Sequence, residues 1–167
     1  MRPFYFRKEE ISVKKTVYIL LAALLTMLCL TGCGDSAPPI DLEGFETAME
    51  AGGYTIKKHE EIAVAGVCDN ASTAYIPDVS NVDYYVMADA EQANILFGRC
   101  KDQVDGFLEE AQFKASSGSS TETKGTFRAK ANNMHYIILQ RDNVVVYGRA
   151  LPDQGEAMFQ LLEDMGF

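Results

Sequence analysis

The sequence predicts an α+β domain: an antiparallel sheet of four to five strands with about three helices packed mainly on one face. Three observations carry this reading. Residues 125–149 break into three short apolar-rich runs separated by turn residues, the pattern of consecutive hairpins. Residues 90–113 repeat their apolar side chains every three or four positions, as a helix with one buried stripe does. Shorter stretches of the same period stand near both ends of the domain, and helices with a single stripe need a sheet to bury it.

The elements follow in order. Leu42, Phe45 and Met49 recur at i, i+3 and i+7 and Gly52-Gly53 ends the run, so a short amphipathic helix with a glycine cap is expected. Tyr54 is placed to fold back on it. Residues 54–59 read as a strand. From Ile62 to Cys68 two readings compete, since Ile62 and Val64 alternate as in a strand while the alanines suit a helix. Asp69-Asn70-Ala71-Ser72 is turn chemistry. Residues 81–88 alternate Val82, Tyr84 and Val86 with Tyr85 and Met87, a strand with two distinct faces. Asp89 and Gln92 make a capping-box-like start to the long helix. Its stripe is Ala93, Leu96, Phe97, Cys100, Val104, Phe107, Leu108 and Ala111. The Ser-rich stretch from Lys114 to Lys124 is too polar to pack and is expected as a loop. Strands follow over about 125–131, 134–140 and 144–149, with Asn132-Asn133 and Arg141-Asp142-Asn143 as turns. Pro152-Asp153 opens a last helix through Met158, Phe159 and Leu162, ended by Gly166-Phe167. The endings Gly52-Gly53-Tyr54 and Gly166-Phe167 use one device twice: a glycine stops the helix and an aromatic folds back.

The chain has 167 residues, enough for one domain and too few for two. With 47% hydrophobic and 23% charged residues it has the composition of a folded protein rather than a disordered one. It carries 15 Lys+Arg against 24 Asp+Glu, a net charge of −9. Nucleic acid needs a basic footprint, so it is excluded as a partner.

The first 33 residues have their own pattern. Arg2, Arg7, Lys8, Lys14 and Lys15 precede an apolar run from Val17 to Leu30. Those 14 residues reach about 21 Å as a helix, short of the roughly 30 Å hydrocarbon core. A basic start, a short apolar core and small residues after it read as a secretory signal. Leu30-Thr31-Gly32-Cys33 resembles the lipobox of bacterial lipoproteins. That resemblance implies a diacylglyceryl group on the Cys33 sulfur and cleavage between Gly32 and Cys33. The expected organisation is a cleaved signal peptide over 1–32, a lipidated Cys33 with a tether over 33–40, and a single domain over 41–167. The expected location is the outer side of the cell membrane, held by lipid. Taking away residues 1–32 removes five basic and two acidic side chains, leaving 10 Lys+Arg against 22 Asp+Glu, or −12.

Most of the mature chain resembles a group of small uncharacterised lipoproteins of Gram-positive bacteria, through short motifs. The matching pieces are Gly53-Tyr54, Ala90 to Phe97, the Ser-rich Ser116 to Thr121, Arg141-Asp142-Asn143 with Tyr147, and Met165-Gly166-Phe167. The hairpin turn lacks one residue and the Thr of that group, and the chain ends in Phe where the group has Tyr. The resemblance implies a fold and a location but no activity.

Catalytic fingerprints are absent: there is no Gly-x-Ser-x-Gly, phosphate loop, Gly-x-Gly-x-x-Gly, His-Glu-x-x-His or Cys-x-x-Cys. A Ser-His or Cys-His pair would have to use His59 or His135. His59-Glu60-Glu61 reads as a solvated turn and His135 as a strand-edge residue. Cys29 leaves with the signal and Cys33 is the anchor, so Cys68 and Cys100 remain. Outside the cytoplasm they either pair as a disulfide or stay free, and the position of Cys100 on an apolar stripe suits a buried thiol. Neither a metal site nor a cofactor is expected. Glu60-Glu61, Glu109-Glu110 and Glu163-Asp164 read as solvated faces without calcium-loop spacing. Tyr84, Tyr85, Tyr136 and Tyr147 fall on strands, and an exposed Tyr-bearing sheet face is the candidate partner-binding surface. The functional expectation is therefore a lipid-anchored, non-enzymatic binding or accessory module for a protein or envelope component. The alternative is an extracytoplasmic solute-binding or small hydrolytic domain. A pocket around His135, Arg141 or Arg149 would favour the alternative, and a flat Tyr-rich face the first.

Overall fold

A computed structural model describes residues 39–167. The signal expected over 1–32, the lipid site expected at Cys33 and most of the tether lie outside these residues. The elements are α1 (Leu42–Ala51), β1 (Thr55–Lys58), a 3-10 turn at Glu60–Ile62, β2 (Cys68–Ile76) and β3 (Ser80–Met87). Then come α2 (Ala90–Glu110), β4 (Lys114–Ser120), β5 (Lys124–Ala131), β6 (Met134–Arg141), β7 (Val144–Ala150) and α3 (Pro152–Asp164). The strands form one antiparallel sheet in the order β1-β2-β3-β7-β6-β5-β4. From the β2–β3 hairpin, α2 carries the chain to the far edge. The β4–β7 meander then returns until β7 pairs with β3.

The α+β class and the three helices match the sequence, but the sheet has seven strands rather than four to five. The two additional strands are β2 and β4. In β2 the turn-forming Asp69-Asn70 is absorbed by a register shift between Cys68 and Asn70, where the Asn70 side chain accepts from the Ala71 amide at 2.9 Å. In β4 the Ser-rich segment does not pack, since all seven residues are exposed. It is a strand because β5 offers a complete ladder, from Lys114 opposite Ala131 to Ser120 opposite Gly125. Backbone pairing replaces the side-chain burial the segment lacks.

Helix starts follow their caps. Asp41 Oδ1 accepts from the Gly44 amide and Asp89 Oδ1 from the Gln92 amide, each at 2.8 Å. The two-residue turns after β5 and β6 place Asn132 at φ 51° and Asp142 at φ 50°, the left-handed region that Asn and Asp tolerate.

The helices do not share one face. α1 and α3 cover a cluster containing Phe45, Met49, Val82, Tyr84, Ile137, Val146 and Leu162. On the opposite face α2 covers Met87, Ala93, Phe97, Val104, Phe127, Ile138 and Val145. The cause is in the central strands: Ile137-Ile138-Leu139 and Val144-Val145-Val146 are apolar without alternation, so both faces need cover. The β1–β2–β3 end of the α2 face stays open, as does its edge along β4.

Candidate functional site

The four tyrosines of the expected binding face do not lie together. Tyr84 is fully buried under α1, 4.6 Å from Phe45 ring to ring, and its hydroxyl donates to the Ile40 carbonyl. It is a core residue and not part of a binding surface. Its burial raises the phenol above its ordinary value. Tyr85, Tyr136 and Tyr147 point to the other face, half-buried against the α2 cluster, with Tyr136 5.7 Å from Phe107. Helix α2 therefore covers much of the face that would have been flat and Tyr-rich.

Cys68 and Cys100 are free thiols beside the same cluster. Burial pushes the Cys100 thiol up to about 11, with the Asp83 charge adding to it. It raises Cys68 as well, against a hydrogen bond from its Sγ to the Asn70 carbonyl. Both are held in the unreactive protonated form.

His59 sits at the head of a hydrogen-bond chain that the sequence did not reveal. Its Nδ1 is 3.2 Å from Glu61 Oε1 and its Nε2 2.9 Å from Thr73 Oγ1. Thr73 in turn donates to Asp83 Oδ1 at 2.6 Å, and Asn81 donates to Asp83 Oδ2 at 3.1 Å. Carboxylate, imidazole and hydroxyl stand in the order of a hydrolytic triad, but two features work against catalysis. The Thr73 proton is committed to Asp83. Furthermore, β2 is paired on both sides, so the strand has no spare N–H to hold an oxyanion near Thr73. The chain ties β1, β2 and β3 together on the open half of the sheet.

The other histidine lies in a groove. α3 crosses β6 and β7, leaving a cavity of about 320 Å³ along its flank, between the helix and β4–β6. Its floor is Ile137, Met158 and Phe159; its rim is Ser117, Arg128, Lys130, His135 and Glu156. One residue permits this shape. A Cβ on Gly155 would collide with the His135 ring, so glycine lets the imidazole lie under the first turns of α3. Burial lowers the His135 pKa, the Lys130 charge lowers it further, and Glu156 only partly opposes them. His135 is thus neutral at pH 7, one ring nitrogen donating and the other accepting. Arg128 lies over the Phe159 ring and reaches Glu163 at 2.7 Å, while Lys130 reaches Glu156 at 3.1 Å. These ion pairs are exposed enough to be exchangeable.

No hydrolytic pair stands in the groove. Ser117 is two strands over and two residues along from His135, about 12 Å between Cα atoms at ~4.8 Å strand spacing and ~3.4 Å rise. What remains is a binding geometry: an apolar floor, two cations and a neutral donor–acceptor. Among the described residues no group of three or more His, Cys, Asp or Glu side chains is placed to hold a metal. No helix among them is long and apolar enough to cross a membrane. A second depression, also about 320 Å³, has Arg149 with Tyr75, Asp78 and Asn81 at the end of the open half-face. Arg141, the third basic candidate, is buried at the end of β6, away from both.

Sequence reading missed Arg128, Lys130, Ser117 and Gly155 as site residues. A legible signal was the alternation Thr126, Arg128, Lys130 opposite Phe127, Ala129 on β5, which puts two cations on one face. A glycine inside α3 was a second, since it lowers helix propensity unless something must pass close.

No protein-family model matches the chain, and no curated protein matches it. Among solved structures the chain is similar to a protein of Thermotoga maritima described as a GTP binding regulator. The identity is 14% and the TM-score 0.46, with 78% of this chain and 92% of that chain covered.

Proposed function

We propose that this protein is a non-enzymatic ligand-binding domain held on the outer side of a membrane by lipid on Cys33, with its ligand seated in the groove beside α3. The groove at His135 favours the solute-binding alternative, since α2 covers much of the tyrosine face. The observation that supports the binding reading is the conjunction of Gly155, His135, Arg128 and Lys130 over the Ile137–Met158–Phe159 floor. A ligand with an apolar body and an acidic group suits it: the body covers the floor and the acid meets the cations. The anchor rests on the lipobox-like Leu30-Thr31-Gly32-Cys33 and the basic, apolar leader before it.

Among the described residues seven strands pair into one sheet with an apolar cluster on each face, so a chain begun after Cys33 carries its own core and should fold. Titrating that chain with 2-naphthoate tests the groove by amide chemical shifts. Saturable shifts at Ser117, Arg128, His135 and Gly155, lost in Ser117→Trp, are expected. Shifts confined to Thr73, Asn81 and Asp83 would move the site to the open half-face. For the anchor, cells fed a clickable fatty acid should label the wild type and not Cys33→Ala; label on the variant removes that part of the proposal.

A further inference from the structure

We propose that the ligand of the groove is an extended peptide with alternating acidic and apolar residues, which adds to the sheet as a strand along the outer edge of β4. This rests on the groove being the binding site. β4 ends the sheet, and its seven residues carry no proline and no bulge. The opposite edge, β1, is blunted in the usual way: it is four residues long and carries Lys57 and Lys58.

The pairing pattern fixes which groups are free. Thr121 donates to the Lys124 carbonyl and Asn132 to the Phe113 carbonyl, so the odd-numbered residues of β4 bond to β5. Lys114, Ser116, Gly118 and Ser120 therefore turn their N–H and C=O outward. That is a complete edge for an incoming strand.

Side-chain space lies on both sides of that edge. The odd-numbered side flanks the groove beside α3 through Ala115 and Ser117. The even-numbered side flanks a further depression of about 450 Å³, between β4 and α2, with Phe97 and Phe127 beneath and Lys101, ion-paired with Asp105 at 2.6 Å, at the rim. Because β4 carries only Ala, Ser and Gly after Lys114, neither space is filled from within. A second copy of β4 would not fill them either, its side chains being equally small. Larger side chains on an added strand would.

Charge selects the partner. The chain is acidic overall, yet residues 114–130 hold four Lys or Arg and one Glu. Lys114 makes no ion pair among the described residues, and it projects to the same side as Lys101. A strand with Glu on that side meets Lys114, and its Phe or Leu cover Ile137, Met158 and Phe159. The groove cations Arg128 and Lys130 then keep their partners Glu163 and Glu156, whereas a small acid such as 2-naphthoate competes for them.

The test uses the chain begun after Cys33 and the peptide acetyl-Glu-Phe-Glu-Leu-Glu-Phe-Glu-amide. Directly opposed residues of an antiparallel pair share a face, so the Glu residues are the ones that would bond to Lys114, Ser116, Gly118 and Ser120. N-methylation at the Glu amides should weaken binding at least about tenfold, while N-methylation at the Phe and Leu amides leaves it within about twofold. Ser116→Pro, which removes one outward N–H, should weaken binding several-fold with its melting temperature unchanged. Should Ser116→Pro unfold, the two methylated peptides decide alone. Equal binding of both methylated peptides would overturn strand addition and leave the groove reading standing. So would failure of the peptide where 2-naphthoate still binds, or concentration-dependent dimerisation through β4 that excludes the peptide. If neither compound binds, both readings fall together.

Discussion

Ser72, in the middle of β2, donates its hydroxyl to Glu46 Oε1 on α1 at 2.6 Å. The second carboxylate oxygen of Glu46 takes Lys58 Nζ at 2.7 Å. Glu46 is thus a buried charge with both oxygens engaged, and it fixes α1 across β1 and β2. It also explains a serine inside the sheet, since Ser72 is the partner that the buried carboxylate requires.

Burial alone would raise the Glu46 carboxyl, but the Lys58 and Ser72 hydrogen bonds and the Lys58 charge outweigh it and hold it below the ordinary value. A depressed carboxylate contributes stability that is present above its unfolded value and lost as pH falls through the folded one. Glu46→Gln should therefore cost about 1 kcal/mol at pH 7 and flatten the acid limb below about pH 4.5. Urea denaturation of both proteins from pH 3 to 7 measures this; parallel curves would contradict it.

The Tyr84 hydroxyl spans from β3 to the Ile40 carbonyl, just ahead of α1. Tyr84→Phe keeps the ring packing against Phe45 and Phe167 and loses only that bond, so about 1 kcal/mol is expected. Tyr84→Ala opens a cavity as well and should cost roughly 3–5 kcal/mol. Denaturant midpoints separate the two. A small effect of the alanine variant would place Tyr84 outside the core.

His135 links groove and pH. Its folded pKa lies below the unfolded value, so on acidification the unfolded chain takes up its proton first. Stability should fall as pH drops from the unfolded value near 6.5 toward the folded one. His135→Gln should remove that part of the pH dependence, as followed by melting temperature between pH 5 and 8. Gly155→Ala should displace the ring and cost about 1–3 kcal/mol.

Cys68 and Cys100 should alkylate slowly at pH 8 in the folded domain and rapidly in urea, because their thiols are held protonated and are at least partly covered. Intact mass with and without reductant gives a second readout. A mass two hydrogens lighter before reduction would show a disulfide instead.

Local patterns determined most of the elements. The caps Asp41 and Asp89, the glycine stops and the alternation of Val82, Tyr84 and Val86 are short-range signals, and each stands where the residues put it. The β4 strand was not legible, because its stability comes from β5, eight or more residues away along most of the ladder, rather than from its own side chains.

The sequence by itself determined the α+β class, the three helices, the tight hairpins and the acidic charge balance. It also determined the lipobox-like start on which the proposed anchor rests. Tertiary structure alone decided that helices cover both faces, burying Tyr84 and covering Tyr136 in part. It also brought His135, Gly155, Arg128 and Lys130 to one groove, and His59, Thr73 and Asp83 into one chain. The physical reason is range. Caps, turns and periodicity act within a few residues, whereas the groove spans 27 residues from Arg128 to Gly155 and the hydrogen-bond chain 24 from His59 to Asp83, through packing and a sheet register that only the folded chain sets.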